Sequence, residues 1–191
     1  LHFFDIEVPD RTVLCPFIGP PLKDSFMRFY GFSSADAELA IARYRDYFAG
    51  KGLFENTVYP GIPSLLDALE NAGRRHVLAT SKPSVFAERI LTHFGLRRYF
   101  SAVAGSDLDG KRVKKEDVLR HALELTNAKP ARSLMIGDRE YDVAGARAVG
   151  MDCIGVTYGY GSEKELSDSG AVALADSPEA LRRLLLPSGP F

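Results

Sequence analysis

From about Tyr59 onward, short apolar runs alternate with segments of helical period. The runs are His76-Val77-Leu78-Ala79-Thr80, Ala102-Val103-Ala104, Ser133-Leu134-Met135-Ile136 and Cys153-Ile154-Gly155-Val156. Each is short, apolar and bounded by Gly, Ser or Asp, as a parallel strand buried on both faces would be. Between them the spacing predicts helices over Ile62–Ala72, Ser84–Phe94, Glu116–Leu125 and Val143–Val149. Gly73, Gly95 and Gly150 follow three of these segments. Glycine there supplies the left-handed turn that stops a helix. Strand and helix repeated in this order predict an α/β fold with a right-handed, doubly wound, Rossmann-like parallel sheet.

The stretch 8–58 breaks the alternation. It holds two helical patterns, Leu22–Phe29 and Ala35–Phe48, and no strand pattern. Tyr59-Pro60-Gly61 then turns the chain back into the alternating region. The expected organisation is a core made of 1–7 and 59–191, interrupted by a helical cap over 8–58. Phe3-Phe4-Asp5 would be the first strand, and Pro187–Phe191 a loose tail.

Composition narrows the class. With 191 residues, 46% hydrophobic and 26% charged, the chain can bury an ordinary globular core. Disordered, collagenous and coiled-coil readings fall away. The net charge is −1, and the basic pairs Arg74-Arg75, Arg97-Arg98 and Arg182-Arg183 are scattered. No nucleic-acid partner and no anionic membrane surface are therefore expected. No apolar run reaches the length of a spanning helix. Cys15 and Cys153 are far apart, so neither a disulfide framework nor a zinc site is expected. Reduced thiols suit a cytoplasmic protein.

Ligands bind beyond the carboxyl ends of the strands in an open parallel sheet. Asp5 would end the first strand there, Thr80-Ser81 the next, and Gly137-Asp138 the fourth, with Asp142 four residues on. Lys115 precedes the helix that starts at Glu116. Two carboxylates beside Asp5 would suit a hard divalent cation. An ammonium and a hydroxyl would hold the remaining oxygens of a phosphoryl group. Plainer roles exist for each: Asp142 as a helix cap, Asp138 as a turn residue, Thr80-Ser81 as a helix start, and Lys115 as part of a solvated basic run.

Taken together, these residues resemble the haloacid dehalogenase superfamily, and within it the phosphoglycolate phosphatase-like enzymes with a helical cap. Phe3-Phe4-Asp5 looks like the end of the first motif, Leu78–Pro83 like the second, Lys114–Leu119 like the third and Gly137–Asp142 like the fourth. Tyr59–Ile62 and Gly155–Gly161 are also similar to segments of this group. The resemblance implies a Mg2+-dependent phosphomonoester hydrolase working through an aspartyl-phosphate. Asp5 would be the nucleophile, with Thr80, Ser81 and Lys115 on the phosphate and Asp5, Asp138 and Asp142 on the metal. Arg45 and Lys51 of the cap would meet a small phosphorylated metabolite such as phosphoglycolate. A nucleoside 5'-monophosphate is the alternative substrate; a phosphomutase and a non-catalytic member are alternative functions. A monomer or homodimer is expected. The chain departs from the family at Asp5-Ile6-Glu7-Val8-Pro9, where Asp-x-Asp-Gly-Thr would stand. An interruption of the sequence between Ile6 and Glu7 is the expected cause.

Overall fold

The computed structural model describes residues 1–108 and 112–186. They fall into two compact units, Leu1–Glu55 and Asn56–Phe191.

The first unit is built on α1 (Leu22–Tyr30) and α2 (Ser34–Gly50). Gly31 stops α1 at φ 65°. The Ser33 side chain accepts a hydrogen bond from the Asp36 N–H and starts α2. Phe26 of α1 packs against the small Ala37 and Ala40 of α2, with Phe4, Phe17, Tyr30 and Phe32 around them. Short 3-10 segments at His2–Phe4 and Arg11–Phe17 precede the helices.

The strand expected at Phe3-Phe4-Asp5 is not formed. Asp5 sits at φ 53°, ψ 29° in the left-handed region. Its N–H bonds the His2 carbonyl, and the Ile6 N–H bonds the Leu1 carbonyl. That pair of bonds is the signature of a helix stop. Phe4 is drawn into the aromatic cluster, with its ring centroid 4.6 Å from that of Phe32. Residues 1–6 therefore end a helical turn and do not end a strand.

The second unit runs α3 (Ile62–Asn71), β1 (His76–Pro83), α4 (Ser84–His93), β2 (Phe100–Ser106), α5 (Lys115–Thr126), β3 (Leu134–Gly137), α6 (Glu140–Ala148), β4 (Asp152–Val156), α7 (Glu163–Ser169), β5 (Ala173–Ala175) and α8 (Pro178–Leu185). All strand pairs are parallel, as expected for this α/β class. They form two ladders among the described residues, β1-β2 and β3-β4-β5, and no strand pairing joins β1 to β3. Helix α5 packs against β1, β2 and α6 and so touches both halves.

The core explains the strand order. Ile154 and Val156 on one face of β4 meet Leu65 and Leu69 of α3 and Leu181 of α8. Cys153 on the other face joins Met135, Leu119, Val143 and Leu166. Each fully buried apolar side chain of this kind contributes about 1.5–3 kcal/mol. The second unit thus has helices on both faces of β4, and within each ladder the strands point their carboxyl ends the same way.

Candidate active site

The site is organised by the turn from β3 into α6. Gly137 ends β3, and a Cβ there would lie 2.2 Å from the Cβ of Asp142. Only glycine lets Asp142 fold back over the strand end. Asp142 Oδ2 then accepts the N–H groups of Asp138 and Arg139, both at 3.1 Å. These are donors that the first turn of a helix leaves without partners. Its other oxygen, Oδ1, stands 2.7 Å from Lys115 Nζ. Asp142 thus fills the capping role and holds the lysine as well.

Lys115 is the first residue of α5. Its stem crosses α6 at Gly145, where a Cβ would approach Lys115 Cγ to 2.6 Å. Its ammonium also donates to the Ala79 carbonyl at 3.4 Å, one residue before Thr80. The basic-run reading fails for Lys115, whose side chain is only 11% exposed.

Asp138 is held from another direction. Its Oδ2 accepts the Tyr160 N–H at 2.8 Å. A Cβ on Gly159 would fall 2.3 Å from Asp138 Cβ, and one on Gly161 would fall 2.1 Å from the Asp138 carbonyl oxygen. The two glycines after β4 are what let this loop wrap the aspartate. Next to it, Arg139 Nε donates to Glu165 Oε1 at 2.8 Å, and the Glu140 N–H donates to the same oxygen at 2.9 Å. Burial would push the Glu165 carboxyl up, but the Arg139 hydrogen bond and the Glu140 N–H hold it below the usual carboxylate range.

Thr80 is half-buried near the end of β1, and its Oγ1 accepts the Lys82 N–H at 3.2 Å. The Ser81 carbonyl accepts from Ser106 Oγ on β2. α4 has Pro83 at its N-cap and no side-chain cap, so the helix-start role open to Ser81 is not used. Lys82 was not singled out in the sequence, although it stands between Ser81 and Pro83. Its surface is exposed, yet the protein packed around its ammonium lowers its proton affinity. Asp138 opposes that shift and Lys115 adds to it. Lys82 therefore senses both the acid and the base of the cluster.

The structure thus brings together Lys115, Asp138 and Asp142, with Thr80 and Ser81 on the adjoining strand end. Asp5, Arg45 and Lys51 belong to the Leu1–Glu55 unit. Asp5 caps a 3-10 turn there. Arg45 is half-buried within α2, and Lys51 is the C-cap of that helix, its N–H bonded to the Tyr47 carbonyl.

Among the described residues, no group of three His, Cys, Asp or Glu side chains could by itself hold a metal. Asp142 has both oxygens engaged. Asp138 has only Oδ2 engaged, so Oδ1 remains for a ligand. Mg2+ commonly takes one or two carboxylates and completes its shell with water and substrate phosphate. A donor set of Asp138 with a phosphoryl oxygen fits that habit.

A carboxylate with a free oxygen, a buried lysine and a strand-end hydroxyl in a parallel α/β unit are groups that a phosphoryl-handling hydrolase uses. The sequence profile of the haloacid dehalogenase-like hydrolases matches residues 2–156, and the chain belongs to that family, among members named phosphatases. It is 47% identical to a 5'-nucleotidase of Pseudomonas aeruginosa over 94% of this chain and 81% of that protein. It is 35% identical to a phosphoglycolate phosphatase of Cupriavidus necator over 80% of this chain and 66% of that protein. Tyrosine-protein kinase PtkA of Mycobacterium tuberculosis is 40% identical over 84% of the chain, which spans 55% of that relative. The crystal structure of a Clostridium acetobutylicum protein named as a predicted phosphatase superposes with a TM-score of 0.94 at 51% identity, covering 97% of this chain and 86% of that one.

Proposed function

We propose that the chain hydrolyses phosphomonoesters of small organic phosphates with Mg2+ as cofactor, and that a nucleoside 5'-monophosphate is the preferred substrate class. The observation that carries the reaction class is the Lys115–Asp142 pair, which fixes an ammonium beside the Ala79 carbonyl at the end of the Thr80 strand. An ammonium so placed binds a phosphoryl oxygen. The Thr80 hydroxyl and Ser81 bind the others. Asp138 offers its free Oδ1 to the cation, which when bound neutralises charge on the phosphoryl oxygens. Asp142 orients Lys115 and the turn. Arg45 and Lys51 stay as candidate substrate contacts of the helical unit.

The nucleotide preference rests on the 47% identity to the Pseudomonas 5'-nucleotidase, against 35% to the phosphoglycolate phosphatase. Asp5 is the proposed group that attacks phosphorus, as the likeness of Phe3-Phe4-Asp5 to the family's first motif implies. The described residues bring no third acid to the cluster, so turnover is the measurement that decides. The test is phosphate release from a panel of 5'-nucleotides and phosphoglycolate with and without Mg2+. Release that needs Mg2+, with nucleotides turned over faster, is expected. Inorganic phosphate bound tightly without release from any member of the panel would overturn the hydrolase reading. A phosphoglycolate rate equal to the nucleotide rates would overturn the substrate choice.

A further inference from the structure

We propose that Glu165 is a positioning residue for the cation ligand Asp138, acting through Arg139 and the backbone of Glu140; the inference rests on Asp138 being that ligand. Two ties join the segment after β4 to the turn after β3. The first is the Tyr160 N–H on Asp138 Oδ2. The second is Glu165 Oε1, which accepts both Arg139 Nε and the Glu140 N–H. A single carboxylate oxygen from α7 thereby holds the side chain at the N-cap of α6 and the first N–H of that helix.

The arrangement is built rather than incidental. The Arg139 and Glu165 side chains are 13% and 23% exposed, well inside the range where a pair is fixed by its surroundings. Gly161 must be small for the segments to meet, since a Cβ there would lie 2.1 Å from the Asp138 carbonyl oxygen and 3.4 Å from Glu165 Oε1. Ser162 caps α7 by accepting the Glu165 N–H at 3.0 Å, which fixes where the carboxylate starts from. The residues on either side of the second tie, Asp138 and Asp142, are the two acids of the site. A shift of the Arg139–Glu140 backbone would turn Asp138 Oδ1 away from its ligand and release a donor from Asp142 Oδ2. Groups hydrogen-bonded directly to a metal ligand typically change metal affinity about 10–100-fold when removed, and Glu165, one residue further out, belongs at the low end of that range.

The test is Mg2+ binding by titration calorimetry on the full chain in the presence of inorganic phosphate, with Tm recorded for every variant. Asp138→Asn is expected to weaken Mg2+ binding at least tenfold. Glu165→Ala is expected to weaken it about tenfold. Glu165→Gln keeps an oxygen that accepts both donors and is expected to stay close to the parent protein. Ser177→Ala removes the cap of α8, where the Ser177 side chain accepts the Ala180 N–H; it lowers Tm and should leave Mg2+ affinity unchanged. If Glu165→Ala does not fold, Arg139→Gln removes the side-chain half of the tie, leaves the Glu140 N–H bond, and should weaken binding in the same direction but less. Parent-like affinity in Glu165→Ala while Asp138→Asn fails would overturn the role of Glu165. Equal weakening by Ser177→Ala at a matched loss of Tm would overturn the role of Glu165 and leave a general effect of lost stability. Parent-like affinity in Asp138→Asn would instead overturn the reading of the site itself.

Discussion

Lys115 Nζ and Asp142 Oδ1 stand 2.7 Å apart, with side chains that are 11% and 8% exposed. This pair joins the first turn of α5 to the first turn of α6. It also decides how the other groups can act. Asp142 spends one oxygen on the lysine and the other on two backbone N–H groups, so its work is to orient. Lys115 is at once held in place and kept within reach of the β1 strand end through Ala79.

The pair predicts a specific double-mutant cycle. Removing one partner leaves the other charge buried without compensation, which costs about 3–5 kcal/mol. Lys115→Met and Asp142→Asn should each lower stability by an amount of that order in urea unfolding. The double variant should lose clearly less than the sum, because the two residues share one interaction. Additive losses would show that the pair is not coupled.

Gly137→Ala tests the strand-end turn. The added methyl would lie 2.2 Å from Asp142 Cβ and 2.5 Å from its Oδ2, and the bonds of Asp142 to Asp138, Arg139 and Lys115 resist its moving aside. The expected result is a loss of stability of about 1–3 kcal/mol, as for overpacking in general, together with at least tenfold weaker Mg2+ binding. Gly50→Ala is the control. It lies at the end of α2 with nothing within 4 Å of an added Cβ, so it should be neutral or stabilising by about 0.5–1 kcal/mol. Similar effects of the two changes on Mg2+ binding would sink the argument.

Much of the second unit was legible because each of β1 to β4 is an apolar run closed by a polar or glycine residue, and α3 to α6 carry a helical stripe between them. β5 has three residues, too few to show a pattern. α7 is mostly polar, with Leu166 as its buried anchor, and only its packing makes it helical. Phe3-Phe4-Asp5 misled because two aromatic residues before an acid suit a strand end and a helix stop equally well. The acids at 138 and 142 were legible from the Gly-Asp turn. The division of labour between them was not, since it depends on Lys115 crossing α6 at Gly145. Glu165 lay beyond reach for the same reason: its partners are 25 and 26 residues away along the chain.

The left-handed conformation of Asp5 has its own consequence. A non-glycine residue in the left-handed region is strained, and glycine relieves the strain. Asp5→Gly should stabilise the protein by about 0.5–1 kcal/mol. Asp5→Asn, which tolerates the same conformation, should be close to neutral for stability. Both should abolish phosphate release, because each removes the proposed attacking carboxylate. A variant at this position that folds normally and keeps full turnover would remove Asp5 from the chemistry.

The two thiols should differ sharply in reactivity. Cys153 is 3% exposed in the packed face of β4. Burial pushes its thiol up to about 12, the Asp142 carboxylate adds to the rise, and Lys115 opposes it. At pH 8 a thiol with that value has about one molecule in ten thousand ionised. Cys15 is only partly buried. Iodoacetamide at pH 8 should therefore modify Cys15 rapidly, and Cys153 only once denaturant opens the core; mass spectrometry counts the labels. The sign for stability follows from linkage. The folded value lies above the unfolded one, near 8.5 in free cysteine. The contribution of the protonated thiol is full below about pH 8.5 and is lost progressively as the pH rises toward 12. Cys153→Ala should flatten that alkaline fall in stability relative to the parent protein. Two rapidly labelled cysteines in the native state would contradict the packing of β4 described above.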